Sequence, residues 1–430
     1  MNRKVLTIII IVFSLGVFLS GCTAKSIKSL DDNKTSIKPK KSLDDSEISI
    51  DGLSAVIEAN NNFAFDLYSK YKIEEGNIFF SPYSISTALA MIYEGAKGQT
   101  AKEIQSVFHF PKDDSVRRSG YANLYNKINK EDKLYKLSTA NALWAELNYT
   151  FLDEYFNLID KYYDGQVTNL DFKKDSENSR ITINNWVEDK TNNKIKDLIP
   201  VGAISNMTRL VLTNSVYFKG EWLKQFNENE TQDEDFRTSL KNSVKVKMMK
   251  KTGKEAKFGY IENDKLQILE MPYSGEDLSM LVLLPKDGDM KSLENSITSE
   301  NLSKWKKNIS NQRVDIYIPK FKFETKYFMK NTLSEMGMPT AFKGADFSGM
   351  TGNKDLYISQ VIHQAFVDVS EEGTEATAAT AVVMTEKSMG PDMGSIIPTF
   401  RADHPFIFII QQKKSGNILF MGRVTNPVQL

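Results

Sequence analysis

Residues 48–430 run without a linker, a proline-rich stretch or a shift of composition that would mark a place to divide the chain. A length of 430 residues would by itself allow two or three domains. With no boundary, almost the whole sequence has to share one core. Residues 48–430 are therefore read as one large domain. The apolar supply is sufficient, because hydrophobic residues make up 41% of the chain, with 25 Phe, 17 Tyr and 4 Trp.

Patterning gives the elements. Val56, Ala59, Phe63, Ala64 and Leu67 recur at helical spacing. Ser81-Pro82 reads as a helix cap followed by proline at the first helical position, with Ala88, Leu89, Met91 and Ile92 as the buried stripe. Further helices are expected at 151–163 and 181–194. β-Branched and aromatic runs predict strands at 138–145, 209–218, 267–272, 278–284, 314–318, 406–411 and 418–424. Helices come first and then interleave with mainly antiparallel-looking strands, which is an α+β arrangement.

Several functions are disfavoured at once. The chain carries 55 basic and 55 acidic side chains and a formal net charge of zero, so it lacks the basic excess of a nucleic-acid binder. One cysteine leaves no intrachain disulfide and no multi-cysteine metal site. His109, His363 and His404 are far apart and outside any HExxH pattern, so neither a metal nor another cofactor is expected. His363 has no GxSxG or other nucleophile context, and an enzyme is not expected.

The N-terminus reads as an export signal. Asn2-Arg3-Lys4 precedes an apolar run from Val5 to Leu19, short for a membrane span and suited to a signal core. Leu19-Ser20-Gly21-Cys22 resembles a prokaryotic lipobox, in which the cysteine thiol accepts a diacylglyceryl group. Residues 1–22 are therefore expected to be a lipoprotein signal and 23–47 a polar tether. Two acyl chains, at roughly 0.8 kcal/mol per buried CH₂, would hold the protein stably on the outer face of the cell membrane.

In the remainder, separated segments resemble the serpin family, and they do so in order. Asn77-Ile78-Phe79-Phe80-Ser81-Pro82-Tyr83-Ser84 resembles its strand-to-helix opening. Asn141-Ala142-Leu143-Trp144 and Leu212-Thr213-Asn214-Ser215-Val216-Tyr217-Phe218-Lys219-Gly220-Glu221-Trp222 resemble two strands of its main sheet. Ile318-Pro319-Lys320-Phe321, Ala345-Asp346-Phe347-Ser348-Gly349-Met350, Ser359-Gln360-Val361-Ile362-His363-Gln364-Ala365 and the closing His404-Pro405-Phe406 … Phe420-Met421-Gly422-Arg423-Val424 also have counterparts. The resemblance covers nearly all of 48–430. It implies a serpin domain there, with about three β-sheets, eight to nine helices and an exposed reactive loop at about 371–399.

Serpins trap a serine protease that cleaves this loop, because the cut loop inserts into the main sheet as a new strand. The hinge would be Glu371, Glu372, Gly373, Thr374, Glu375, Ala376, Thr377, Ala378 and Ala379. Alternate strand residues share a face, and the even positions Thr374, Ala376, Ala378, Thr380, Val382 and Met384 carry no charge. Odd-numbered Glu375 would stay outside. No proline interrupts 371–390, as a central strand requires. In the family the reactive bond follows the seventeenth residue from the first hinge glutamate, so the resemblance implies Lys387–Ser388 here, which suits a trypsin-like pocket. The long stretch from Ser388 to Thr399 keeps Met384 and Met389 open as alternatives. Ser81, Ser84, Asn214 and His363 match the family's shutter, where the sheet parts, and Trp222 matches the breach at its top.

The expected partner is thus a serine protease held in a covalent complex, with the inhibitor itself a monomer. The alternative is a non-inhibitory serpin acting as a carrier or chaperone. The membrane assignment has a direct test. Cys22→Ser should release the protein from membranes or stall its processing, whereas unchanged detergent partitioning and unchanged size would exclude the lipid.

Overall fold

The computed structural model describes residues 50–129, 134–374 and 397–428. Cys22, the tether, hinge residues Glu375, Ala376, Thr377, Ala378 and Ala379, the bond Lys387–Ser388 and the alternatives Met384 and Met389 lie outside the described residues.

Three sheets of seven, four and six strands organise the domain. The described residues hold ten α-helices, against the eight to nine expected. Short elements such as Met290–Ser296, Lys330–Met336 and Ser348–Thr351 account for the difference. The first long helix, Ile50–Tyr71, is followed by the strand Ile78–Phe80 and the helix Pro82–Gly95. Ser81 caps that second helix by accepting from the Ser84 amide, with Pro82 at its start. The helix is buried on nearly every side, which explains its high apolar content.

The six-stranded main sheet carries the functional argument. Its order is Phe321–Phe328, Gln360–Val369, Gly373–Thr374, Leu210–Glu221, Tyr135–Glu146 and Gln166–Leu170. Gly373–Thr374 is only two residues long. Below it the strands on either side pair directly, in parallel, from Gln360 opposite Val211 to Phe366 opposite Tyr217. The parallel neighbours of Tyr135–Glu146 and of Asp315–Pro319 likewise depart from the mainly antiparallel expectation. Parallel pairing needs a long crossover, and local patterning carries no sign of one.

Both faces of this sheet are covered. The inner face joins the main core through Leu210, Leu212, Val216, Phe218, Val361, Ala365, Val367 and Val369. The outer face packs under the helix Ser176–Lys190 and the segment after it, where Ala142, Trp144, Val211 and Ile362 meet Ile183, Val187 and Ile199. Trp144 and Trp186 meet edge to face at 5.3 Å, and the Trp144 indole donates to Thr213 Oγ1 at 2.8 Å. Double coverage is why Leu210–Glu221 reads as a nearly continuous apolar run.

Candidate functional site: the seam of the main sheet

The sheet brings the four predicted shutter residues together, all fully buried. Ser81 and Ser84 come from the start of the second helix, Asn214 and His363 from the two strands that pair in parallel. His363 Nε2 accepts from the Ser81 amide at 3.1 Å, so the Nδ1 hydrogen points to Asn214 Oδ1 at 2.5 Å. The Asn214 amide nitrogen donates to Ser84 Oγ at 2.6 Å and to Asn141 Oδ1. Ser84 Oγ also donates to Asn141, and Ser81 Oγ donates to the Leu419 carbonyl at 2.7 Å. Asn141 is a fifth member of the cluster. It was visible in the sequence as part of a main-sheet strand, but only the register, which sets it opposite Asn214, shows that it points at the seam. Polar groups at this depth are costly unless bonded. Here the bonds also tie the two strands of the seam to each other.

Trp222 directly follows the end of the strand Leu210–Glu221. Its ring stacks on Tyr273 at 4.5 Å, and its indole donates to the Ser370 carbonyl at 3.0 Å. Tyr273, which the sequence did not single out, shares a 2.7 Å hydrogen bond with the Thr374 hydroxyl.

The hinge requires a correction. Glu371-Glu372-Gly373 reads as the start of an exposed segment, yet Glu371 is 3% and Thr374 1% exposed. Glu371 pairs with Lys320 and accepts from Thr231 Oγ1 at 2.7 Å. Burial raises its pKa, but these hydrogen bonds outweigh burial and the net direction is down. Glu372 shifts up, through burial first and then repulsion from Glu228 and Glu221. Gly373 is needed for close approach: a Cβ there would lie 2.1 Å from the Gly220 carbonyl oxygen. Gly373 and Thr374 pair with Glu221 and Gly220 on one side, and Thr374 with Val369 on the other. Two hinge residues therefore already occupy the start of a strand between the seam's two edges.

With this geometry established, comparison with known proteins defines the class. The family model described as "Serpin (serine protease inhibitor)" matches residues 58–427, and the chain belongs to the serpin family. An uncharacterized serpin-like protein of Methanosarcina acetivorans is 44% identical over 375 residues, 86% of each chain. Leukocyte elastase inhibitor A of Rattus norvegicus is 42% identical over 380 residues, covering 86% of this chain and 98% of the rat protein. Among solved structures, uncleaved ovalbumin superposes with a TM-score of 0.78 at 33% identity, over 87% of this chain and all of ovalbumin.

Burial lowers the His363 pKa to about 3, far below the ordinary value of 6.5. An unfolded chain would protonate this ring below about pH 6.5, while the folded one keeps it neutral to about pH 3. Stability from this group is therefore full above pH 6.5 and is lost as pH falls toward 3, by at most about 1.4 kcal/mol per pH unit. Denaturant melts of uncleaved protein between pH 7 and 4 should show the midpoint falling, and His363→Gln should flatten that slope. Equal slopes in parent and variant would remove His363 from the acid response.

Proposed function

We propose that the protein is a suicide inhibitor of serine proteases, with a trypsin-like target, cut at Lys387–Ser388 and carried on the outer membrane face by a lipid on Cys22. One observation carries the inhibitory reading: the register in which Gly373–Thr374 already sits. Thr374 lies opposite Gly220 and Val369. Extending that antiparallel register sets Ala376 between Phe218 and Val367, and Ala378 between Val216 and Ala365. Thr380 falls between Asn214 and His363, Val382 between Leu212 and Val361, and Met384 beside Leu210. Each partner on this face belongs to the inner core or to the shutter. Apolar residues of the loop thus meet apolar levels of the sheet, and a hydroxyl arrives where the polar cluster stands. The uncharged even face is suited to the slot at every step.

The chemistry follows from that fit. The protease serine forms an acyl bond to the Lys387 carbonyl and the Ser388 amine leaves. The freed loop then replaces the parallel pairing with two antiparallel ladders. Insertion of about seventeen residues at about 3.3 Å each carries the bound protease on the order of 55 Å and distorts its active site before water can release it. Relatives with inhibitor names, such as the rat leukocyte elastase inhibitor A, support this reading. The lysine supports a trypsin-like target. Among the described residues no helix is long and apolar enough to cross a membrane, and the proposed attachment is Cys22.

Incubation with trypsin should give a covalent complex on a denaturing gel, with the cut mapped after Lys387 by mass spectrometry. Lys387→Ala should lose that inhibition, while a cut after Met384 or Met389 would move the reactive bond and the protease class with it.

Thr374→Arg tests insertion separately from recognition. A buried, unpaired guanidinium against Tyr273 and Trp222 is expensive, so the variant should still be cut but release active trypsin. Trapping equal to the parent's would overturn the insertion mechanism. Cutting without trapping by the parent itself would instead point to a carrier.

A further inference from the structure

Away from the main sheet, a hairpin tip stands beside a cavity that it does not fill. The strands Gln232–Arg237 and Ser243–Lys251 are joined through residues 238–242. Four hydrogen bonds close this turn. The Thr238 and Ser239 amides and the Thr238 hydroxyl donate to the Asn242 carbonyl, and the Lys241 amide donates to Ser239 Oγ at 3.3 Å. Leu240 at the apex is 99% exposed, more than any other large apolar side chain among the described residues. A single exposed leucine is ordinary on a protein surface. What sets this one apart is its neighbour, a cavity of about 340 Å³ bordered by the hairpin and by Asp287, Gly288, Met290, His404 and Pro405. The polar groups around it are already engaged. The His404 ring nitrogens meet Asp403 and the Pro285 carbonyl, and Arg423 donates to the carbonyls of Lys72, Glu74 and Gly76 and pairs with Glu294. With no unsatisfied buried polar atom in its wall, the cavity suits an apolar side chain better than a polar ligand.

We propose that this face is a self-association surface, on which Leu240 of each of two copies enters the cavity of the other. Knob and hole adjoin on one molecule, so the contact is reciprocal and closes as a twofold pair in which each copy gives one leucine and receives one. The charges agree with that exchange. Lys241 at the tip and Asp287 on the cavity wall are both exposed, and neither forms an ion pair among the described residues. Entry of Leu240 brings Lys241 of the donor against Asp287 of the acceptor, twice in each pair. The turn already has its shape in the single chain, so little ordering opposes docking. One turn and one cavity per copy make a small interface, which gives a weak, concentration-dependent pair and not an obligate dimer. This departs from the expected monomer, and it rests on neither the inhibitory reading nor the lipid.

The test is sedimentation of the uncut full-length protein in excess detergent, from micromolar to near-millimolar concentration. The parent should pass from one chain to two. Leu240→Glu, at a site that buries nothing in the single chain, should stay single with an unchanged melting midpoint. Lys241→Glu or Asp287→Lys alone should weaken the pair about fivefold, and the two reversals combined in one chain should restore it. A parent that remains one chain at every concentration overturns the proposal, and so does a Leu240→Glu variant that pairs as the parent does. Failure of the combined reversal to recover what each single reversal loses overturns the reciprocal arrangement. If Leu240→Glu leaves the mass unchanged at every concentration but slows trypsin trapping, the tip is a protease contact and the proposal falls.

Discussion

The structure depends on the parallel pairing between Gln360–Phe366 and Val211–Tyr217. Every other long strand of the main sheet has an antiparallel partner along most of its length. Parallel ladders are slightly weaker per residue, and this one ends where Gly373–Thr374 wedges between its strands. Antiparallel pairs on both sides and a thick core beneath make the rest of the sheet hard to disturb. Among the ladders in the interior of the sheet the seam is therefore the one that can part with the fewest losses, and Gly373–Thr374 already sits at its end.

If the seam opens as proposed, what holds it closed has to be local and reversible, and the polar cluster of Ser81, Ser84, Asn141, Asn214 and His363 meets both conditions. A chain of hydrogen bonds runs from the Ser81 amide through His363 to Asn214 and on to Ser84 and Asn141. Its geometry demands a neutral imidazole, with Nε2 accepting and Nδ1 donating, and burial enforces that state. Apolar side chains at the same level would pack across the seam without directionality and would not lose a specific bond on opening. A polar cluster gives a defined closed state and, because Thr380 would enter between Asn214 and His363, a polar group to meet in the open one.

Much of the architecture was legible because the strands are buried on one or both faces and read as β-branched and aromatic runs. Leu278–Pro285 and Ile418–Val424 were predicted to within a residue of their ends. The strands missed by patterning alone have another character. Gln232–Arg237 and Ser243–Lys251 alternate charges across an exposed ladder, Lys247 with Asp233 and Lys245 with Asp235, and resemble loops in composition. Gln360–Val369 breaks its apolar run with Gln360, His363, Gln364 and Asp368. Shutter residues were recognisable from the family's motifs. Asn141 and Lys320 lie in those motifs and Tyr273 does not, but the contacts of all three were not legible, because they arise from register and tertiary packing. The burial of Glu371 escaped the sequence for the same reason, since its partner Lys320 lies 51 residues away.

The hinge shows why an uncharged face alone does not prepare a loop for insertion. A small, uncharged segment could equally well fold away as a stable strand and leave nothing to react. Here it is held at two points. Gly373 fits because no side chain intrudes on the Gly220 carbonyl, and Thr374 is fixed by Tyr273, itself stacked on Trp222. Below that point the parallel pairing and the shutter block further entry. Entry of the next residues requires the seam to part, and an uncut loop is also held at its far end, where Thr399–Arg401 pairs with Asp315–Tyr317. On the proposed inhibitory reading, cleavage would remove only the second restraint. The energy of the additional ladders would then work against the seam alone, and the uncut protein would be long-lived for a kinetic reason.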